Sequence, residues 1–185
     1  MNSYLTTYRD YEARGWPEWS AAASIDEMSE LVIDWIQGRT PVLPWHFGPP
    51  DDETNHISAN LIALNRTPGF MTDNSQPGLV DNRCRQRAYV SGFAAPDTLS
   101  HLANTAERAG LVVRTTAEIR PDDPIVTEPL ADPSGLFTYG RPAPVNELGL
   151  PERAANILAN AALPFSIHDV EWGSNKMWRQ LLGKE

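Results

Sequence analysis

Apolar residues recur at intervals of three and four over residues 25–36, where Ile25, Met28, Leu31, Val32, Trp35 and Ile36 fall on one side of a helix. Ser24-Ile-Asp-Glu27 opens this run as a capping box, and Gly38 closes it. Ile57, Leu61, Ile62 and Leu64 predict a second helix over 54–65, broken by Arg66-Thr67-Pro68-Gly69. A third opens at Pro96-Asp97, with Leu99, Leu102, Ala103, Ala106 and Ala109 on one face and Gly110 as its stop. Pro151 starts a fourth, carried by Ala154, Ala155, Ile157, Leu158 and Ala161. Met177, Trp178 and Leu181 mark a closing helix over 174–182.

Shorter apolar runs read as strands. Phe70-Met71-Thr72 is a short buried one, and 85–93 alternates imperfectly, with Gly92 marking a bulge or a close backbone approach. Leu111–Thr116 is β-branched, and 165–170 (FSIHDV) is a further strand. Residues 85–116 therefore read as a strand–helix–strand unit, right-handed if its strands are parallel neighbours. Leu136–Gly140 is a strand within 120–149, the least regular part of the chain. Tyr4, Tyr8 and Tyr11 suit one face of a short helix, or of an aromatic arm, over 1–23. The expected class is α/β or α+β, one domain over 1–185. It would hold a mixed sheet of about four to five short strands, about five packed helices and long Pro-rich loops.

Composition narrows the function classes. The net charge of −9 opposes binding to phosphate backbones or anionic lipid, which requires a basic face. A lone cysteine, Cys84, excludes an internal disulfide and a cysteine-rich zinc site. No run of about 18 apolar residues is present, and the first residues lack a signal-peptide core, so a cytoplasmic location is expected. The four histidines show no metal-ligand spacing, so neither a metal nor a cofactor is expected.

Candidate chemistry gathers in two places. Thr72-Asp73-Asn74-Ser75-Gln76-Pro77-Gly78 reads as a polar loop after a strand, the form of many ligand-contacting loops and of many ordinary turns. Arg83, Arg85 and Arg87 alternate along the next segment, so an extended chain sets them on one face. They form either a salt-bridged surface or an anion-binding face, since a guanidinium donates two parallel hydrogen bonds to an oxyanion. The same arginines would lower the Cys84 thiol pKa. Trp45 and His46 stand in the Pro-rich loop 39–52, where bulky rings either bury against the core or wall a pocket. Ser75 is a candidate nucleophile outside any GxSxG elbow, and separately His168 and Asp169 end the late strand as candidate bases, with a structural turn at Trp172-Gly173 as the plainer reading.

Asn65-Arg66, Gly69-Phe70, Thr72, Ser75-Gln76-Pro77-Gly78, Gln86-Arg87-Ala88, Gly92-Phe93-Ala94 and Asp169…Trp172-Gly173 together resemble an uncharacterised family. Its members are small proteins of actinobacteria and their phages, classed as a domain of unknown function. The resemblance brings no activity; it implies that these stretches form a common site or a common core.

The expected function is binding of a small polar or anionic ligand, with a nucleotide preferred because stacking rings and arginine suit one. Its site would comprise Thr72, Asn74, Ser75, Gln76, Arg85, Arg87, Tyr89, Trp45 and His46, with Asp169 opposite. Any chemistry would be metal-independent hydrolysis or transfer. The alternative is a non-catalytic interaction protein docking through the acidic face of the first secure helix: Asp26, Glu27, Glu30 and Asp34.

Overall fold

Seven α-helices form among the described residues: α1 (Ser3–Ala13), α2 (Pro17–Ala21), α3 (Ile25–Ile36), α4 (Asp52–Asn65), α5 (Pro96–Arg108), α6 (Glu152–Ala161) and α7 (Lys176–Leu181). The computed structural model describes residues 3–116, 118, 120, 123–131 and 137–183. Local chemistry sets the helix starts. The Ser24 hydroxyl accepts from the Glu27 amide at 3.1 Å, while the Glu27 carboxylate accepts from the Ala23 amide at 2.8 Å. Asp51 caps α4 by accepting from the Thr54 amide at 2.7 Å, so this helix begins ahead of its apolar pattern. The aromatic arm is two helices separated by Trp16, whose φ of 51° places a bulky residue in the left-handed region. Tyr8 packs edge-on to Trp16 and Phe47, and its hydroxyl donates to the Pro44 carbonyl at 2.8 Å.

The strands are β1 (Phe70–Gln76), β2 (Leu79–Val80), β3 (Cys84–Gln86), β4 (Tyr89–Ala94), β5 (Val112–Arg114), β6 (Ile125–Pro129), β7 (Thr138–Tyr139) and β8 (Leu163–His168). The α+β class is as expected. Instead of one mixed sheet there are two four-stranded sheets, ordered β1-β4-β8-β5 and β2-β3-β6-β7, with every pairing antiparallel. β4 and β5 are not neighbours, because β8 lies between them. Residue 136 of the strand expected over 136–140 lies outside the described residues.

A bent hairpin joins the sheets. Residues 70–80 run out and 84–94 run back, in register from Phe70↔Ala94 to Val80↔Arg85. The Asp81 carboxylate accepts from the Arg83 and Cys84 amides and closes the turn. At Arg87-Ala88 the returning strand changes sheet. The Arg87 amide donates to the Val126 carbonyl at 2.8 Å, and the Asp169 amide donates to the Ala88 carbonyl at 2.9 Å. The strand expected over 85–93 is thus broken in two.

The polar segment 72–76 is strand rather than loop. Asp and Asn have low β propensity, but pairing with β4 overrides it. A bulge between Thr72 and Asn74 absorbs Asp73, opposite Gly92 and Ser91. One sheet face carries Phe70, Phe165 and Ile167 into the helices, where Phe70 and Phe165 lie 5.2 Å apart. The other face is polar over the part that carries Tyr89, Ser91, Ser166 and His168 in paired positions, and apolar at Met71, Phe93 and Pro164.

Candidate functional site

The turn Leu43–His46, closed by reciprocal backbone hydrogen bonds, presents Trp45 and His46 to the bulged part of β1. The Trp45 indole donates to the Asp73 carbonyl at 2.8 Å, and its ring packs edge-on to Trp19. His46 packs edge-on to Trp35 at 4.9 Å. Trp45, His46, Thr72, Asn74 and Ser75 together wall a cavity of about 90 Å³, with apolar residues of α3 and α4 as its floor. Asp51 and Thr54, from the start of α4, also line it. Thr72 is held by Asn65, which accepts from its amide at 3.0 Å and donates to its hydroxyl at 2.9 Å. Five of the nine residues expected to bind a ligand are therefore brought together from two distant segments.

The others lie elsewhere and are engaged in structure. Gln76 joins the sheets: its amide donates to the carbonyls of Arg87 (3.0 Å) and Val126 (2.9 Å), and its oxygen accepts from Thr127 at 2.8 Å. Arg85 pairs with Glu128, and Arg87 donates to the Val170 carbonyl. Both guanidinium groups stack on Trp172, at 4.5 and 4.4 Å from its ring centre. Arg83 pairs with Asp81 at 3.4 Å. The arginine row is thus tied to partners on the protein itself, and Cys84 departs from the expected effect: burial, Asp81 and Glu53 raise its thiol pKa. The Asp169 carboxylate accepts from the Glu171 amide and the Ser174 hydroxyl, fixing the Trp172-Gly173 turn.

The motif residues nonetheless converge. Gly78 and Asn175 exchange hydrogen bonds at 2.8 and 2.9 Å, and the Gly173 amide donates to the Gln86 carbonyl at 2.9 Å. A Cβ on Gly78 would come within 2.0 Å of the Ser174 carbonyl oxygen, so only glycine permits this approach.

Two titratable groups on the polar sheet face are strongly perturbed. Burial pushes the Asp73 carboxyl up to about 6, against hydrogen bonds from Ser91 and the amides of Asn74 and Ala143 that lower it. Burial, with Arg87 and Arg114 nearby, pushes His168 down to about 4, against the opposing charge of Asp169. Neither imidazole nitrogen has a hydrogen-bond partner among the described residues, and Gly140 packs directly on the ring. Tyr89 donates to the Arg141 carbonyl at 2.8 Å, and burial raises its pKa, with Asp73 adding to the effect. Asp73 stands in the polar segment expected to contact a ligand, whereas Ser91 was not among the expected site residues. Gly92 was the available signal, since it faces the bulge that turns Asp73 toward Ser91.

The two shifts oppose each other across one pH window. Folding raises the Asp73 pKa, so the native state holds the extra proton between about pH 4 and 6, and stability falls as pH rises through that window. Folding depresses the His168 pKa, so the unfolded chain takes the proton first, and stability falls as pH drops from about 6.5 to 4. Each effect is on the order of 3 kcal/mol, and the two oppose each other. Asp73→Asn should expose the His168 dependence, with the melting temperature falling steeply on acidification from pH 6.5 to 4. His168→Gln should show the reverse slope. Parallel melting profiles for both variants and the unmodified chain would refute this assignment.

Among the described residues no group of three or more His, Cys, Asp or Glu is placed to hold a metal, and no helix is long and apolar enough to cross a membrane. A stretch of 79 residues is 38% identical to methylenetetrahydrofolate reductase 2 of Saccharomyces cerevisiae, covering 43% of this chain. The match spans only 13% of that relative's length. The model of a domain of unknown function, DUF6919, matches residues 15–184, from the residue before Trp16 to beyond α7, and the chain belongs to that family.

Proposed function

We propose that this domain binds a small polar ligand, one end of which enters the cavity between the Trp45-His46 turn and the bulged strand β1. The observation that carries this reading is the convergence of Trp45, His46, Thr72, Asn74 and Ser75 on one small polar-lined space. Binding sites combine apolar and aromatic walls with a few placed polar groups, and this cavity has both. At about 90 Å³ it admits a group of a few non-hydrogen atoms, so a nucleotide would enter only in part. Its lining includes Asp51, Asp73 and His46 but no lysine or arginine, which favours a neutral or cationic buried end over a phosphate. The match to methylenetetrahydrofolate reductase 2 spans 13% of that relative and carries neither its ligand nor its reaction to this chain.

The acidic face of α3 gives little support to the docking alternative. Asp26 accepts from the Gly69 amide at 2.6 Å, Glu27 caps its own helix, and Asp34 pairs with Arg39. Native mass spectrometry after exposure to a metabolite extract tests the binding reading. The unmodified chain should carry a discrete small-molecule adduct. Ser75→Leu, which fills the cavity, should lose that adduct while shifting the melting temperature by less than about 3 °C. An adduct retained by Ser75→Leu, or absent from the unmodified chain, would reject this site.

A further inference from the structure

The protein's net charge is −9, yet one corner is cationic. Two hollows, of about 630 and 570 Å³, flank α7 and share Lys176 and Arg179. The larger lies between α4 and the 171–179 segment, and Trp172 and Trp178 line it. The smaller lies against α5 and adds Arg108. Arg179 makes no hydrogen bond or ion pair with the described residues, and Arg108 bonds only to the Asn104 carbonyl of its own helix. Trp178 is 2% exposed, and its indole nitrogen has no acceptor among the described residues. An indole N–H only donates, and so do guanidinium and ammonium groups. Among the described residues Glu171 is the one acid lining either hollow, and it is already paired with Lys176 at 3.2 Å.

A surface whose charged groups are cationic apart from one paired carboxylate, on a molecule whose overall field repels anions, favours an anionic ligand. We propose that the hollow between α4 and α7 binds an oxyanion, the carboxylate or phosphate of a small molecule, with Arg179 as its principal partner and Lys176 beside it. Arg108 extends the site into the second hollow for a ligand with two anionic groups. This site is separate from the Trp45-His46 cavity, whose lining holds carboxylates.

Titration of the full chain with pyrophosphate, citrate and chloride at matched ionic strength tests the proposal, read on the indole N–H resonance of Trp178 assigned through Trp178→Phe. The resonance should move saturably with pyrophosphate, with citrate, or with both. Saturation by one and not the other identifies the source of the oxyanion. Arg179→Ala should weaken the apparent affinity about tenfold or more, the loss expected for a charge-assisted hydrogen bond. Arg153→Ala, on α6 and outside both hollows, should leave the affinity unchanged and controls for net charge. Equal movement with chloride, or an affinity unaffected by Arg179→Ala, would overturn the site.

Discussion

Gly92→Ala should leave almost no folded protein. Its new Cβ would stand 2.0 Å from the Met71 carbonyl oxygen and 2.9 Å from the Thr72 Cα, both backbone atoms of the adjacent strand. No flexible side chain is available to yield. β4 is buried along its whole length and paired on both sides, so relief requires β1 to separate from it. The expected loss exceeds about 4 kcal/mol, a large part of the 5–15 kcal/mol of a typical domain. Soluble yield and thermal melting by circular dichroism measure it. Gly110→Ala is the control: its φ of 72° strains alanine, but its Cβ meets open space, so the cost should be about 1 kcal/mol. A Gly92→Ala melting temperature as high as the control's would show that the strands separate more easily than the structure implies.

Gln76→Ala should be the next most damaging change. Gln76 is buried and makes three hydrogen bonds at the point where the sheets diverge. Its removal strands the Arg87 carbonyl and the Thr127 hydroxyl and deprives the Val126 carbonyl of its second donor. The expected loss is about 3 kcal/mol, lowering the melting temperature by about 6–12 °C for a chain of this size. Gln76→Glu should cost more, because a carboxylate would face two carbonyl oxygens with nothing to donate. A loss in Gln76→Glu no greater than in Gln76→Ala would mean that water enters the junction and solvates it.

The helices were legible because their signals are local. Ser24 and Glu27 sit within one turn, and the apolar stripe of 25–36 states its own period. The strands were legible only where apolar residues marked them. Segment 72–76 read as a loop because Asp73, Asn74 and Ser75 disfavour a strand in isolation, and the pairing that overrides this comes from β4. Residues 85–93 read as one strand because nothing local shows that Val126 and Asp169 claim opposite sides of Arg87-Ala88. The same limit applied to the site. Tryptophan and histidine in a Pro-rich loop marked a possible wall, and the structure sets that wall against Thr72, Asn74 and Ser75. Gln76, Arg85 and Arg87 were equally polar, but their engagement within the fold depends on Thr127, Glu128 and Val170, which no spacing in the sequence points to.

The bent hairpin also has a consequence for synthesis of the chain. Residues 70–94 can pair with each other as soon as both arms, 25 residues in all, have emerged. β8 begins only at Leu163, and it supplies the second neighbour of β4 and the one neighbour of β5. Until it emerges, β4 presents a row of unpaired amides and carbonyls, and β5 has nothing to pair with. An open strand edge is a template for another chain. Residues 163–168 thus do more than complete a sheet: their emergence from the ribosome lets the long, buried β4 close its open edge before a second nascent copy can occupy it.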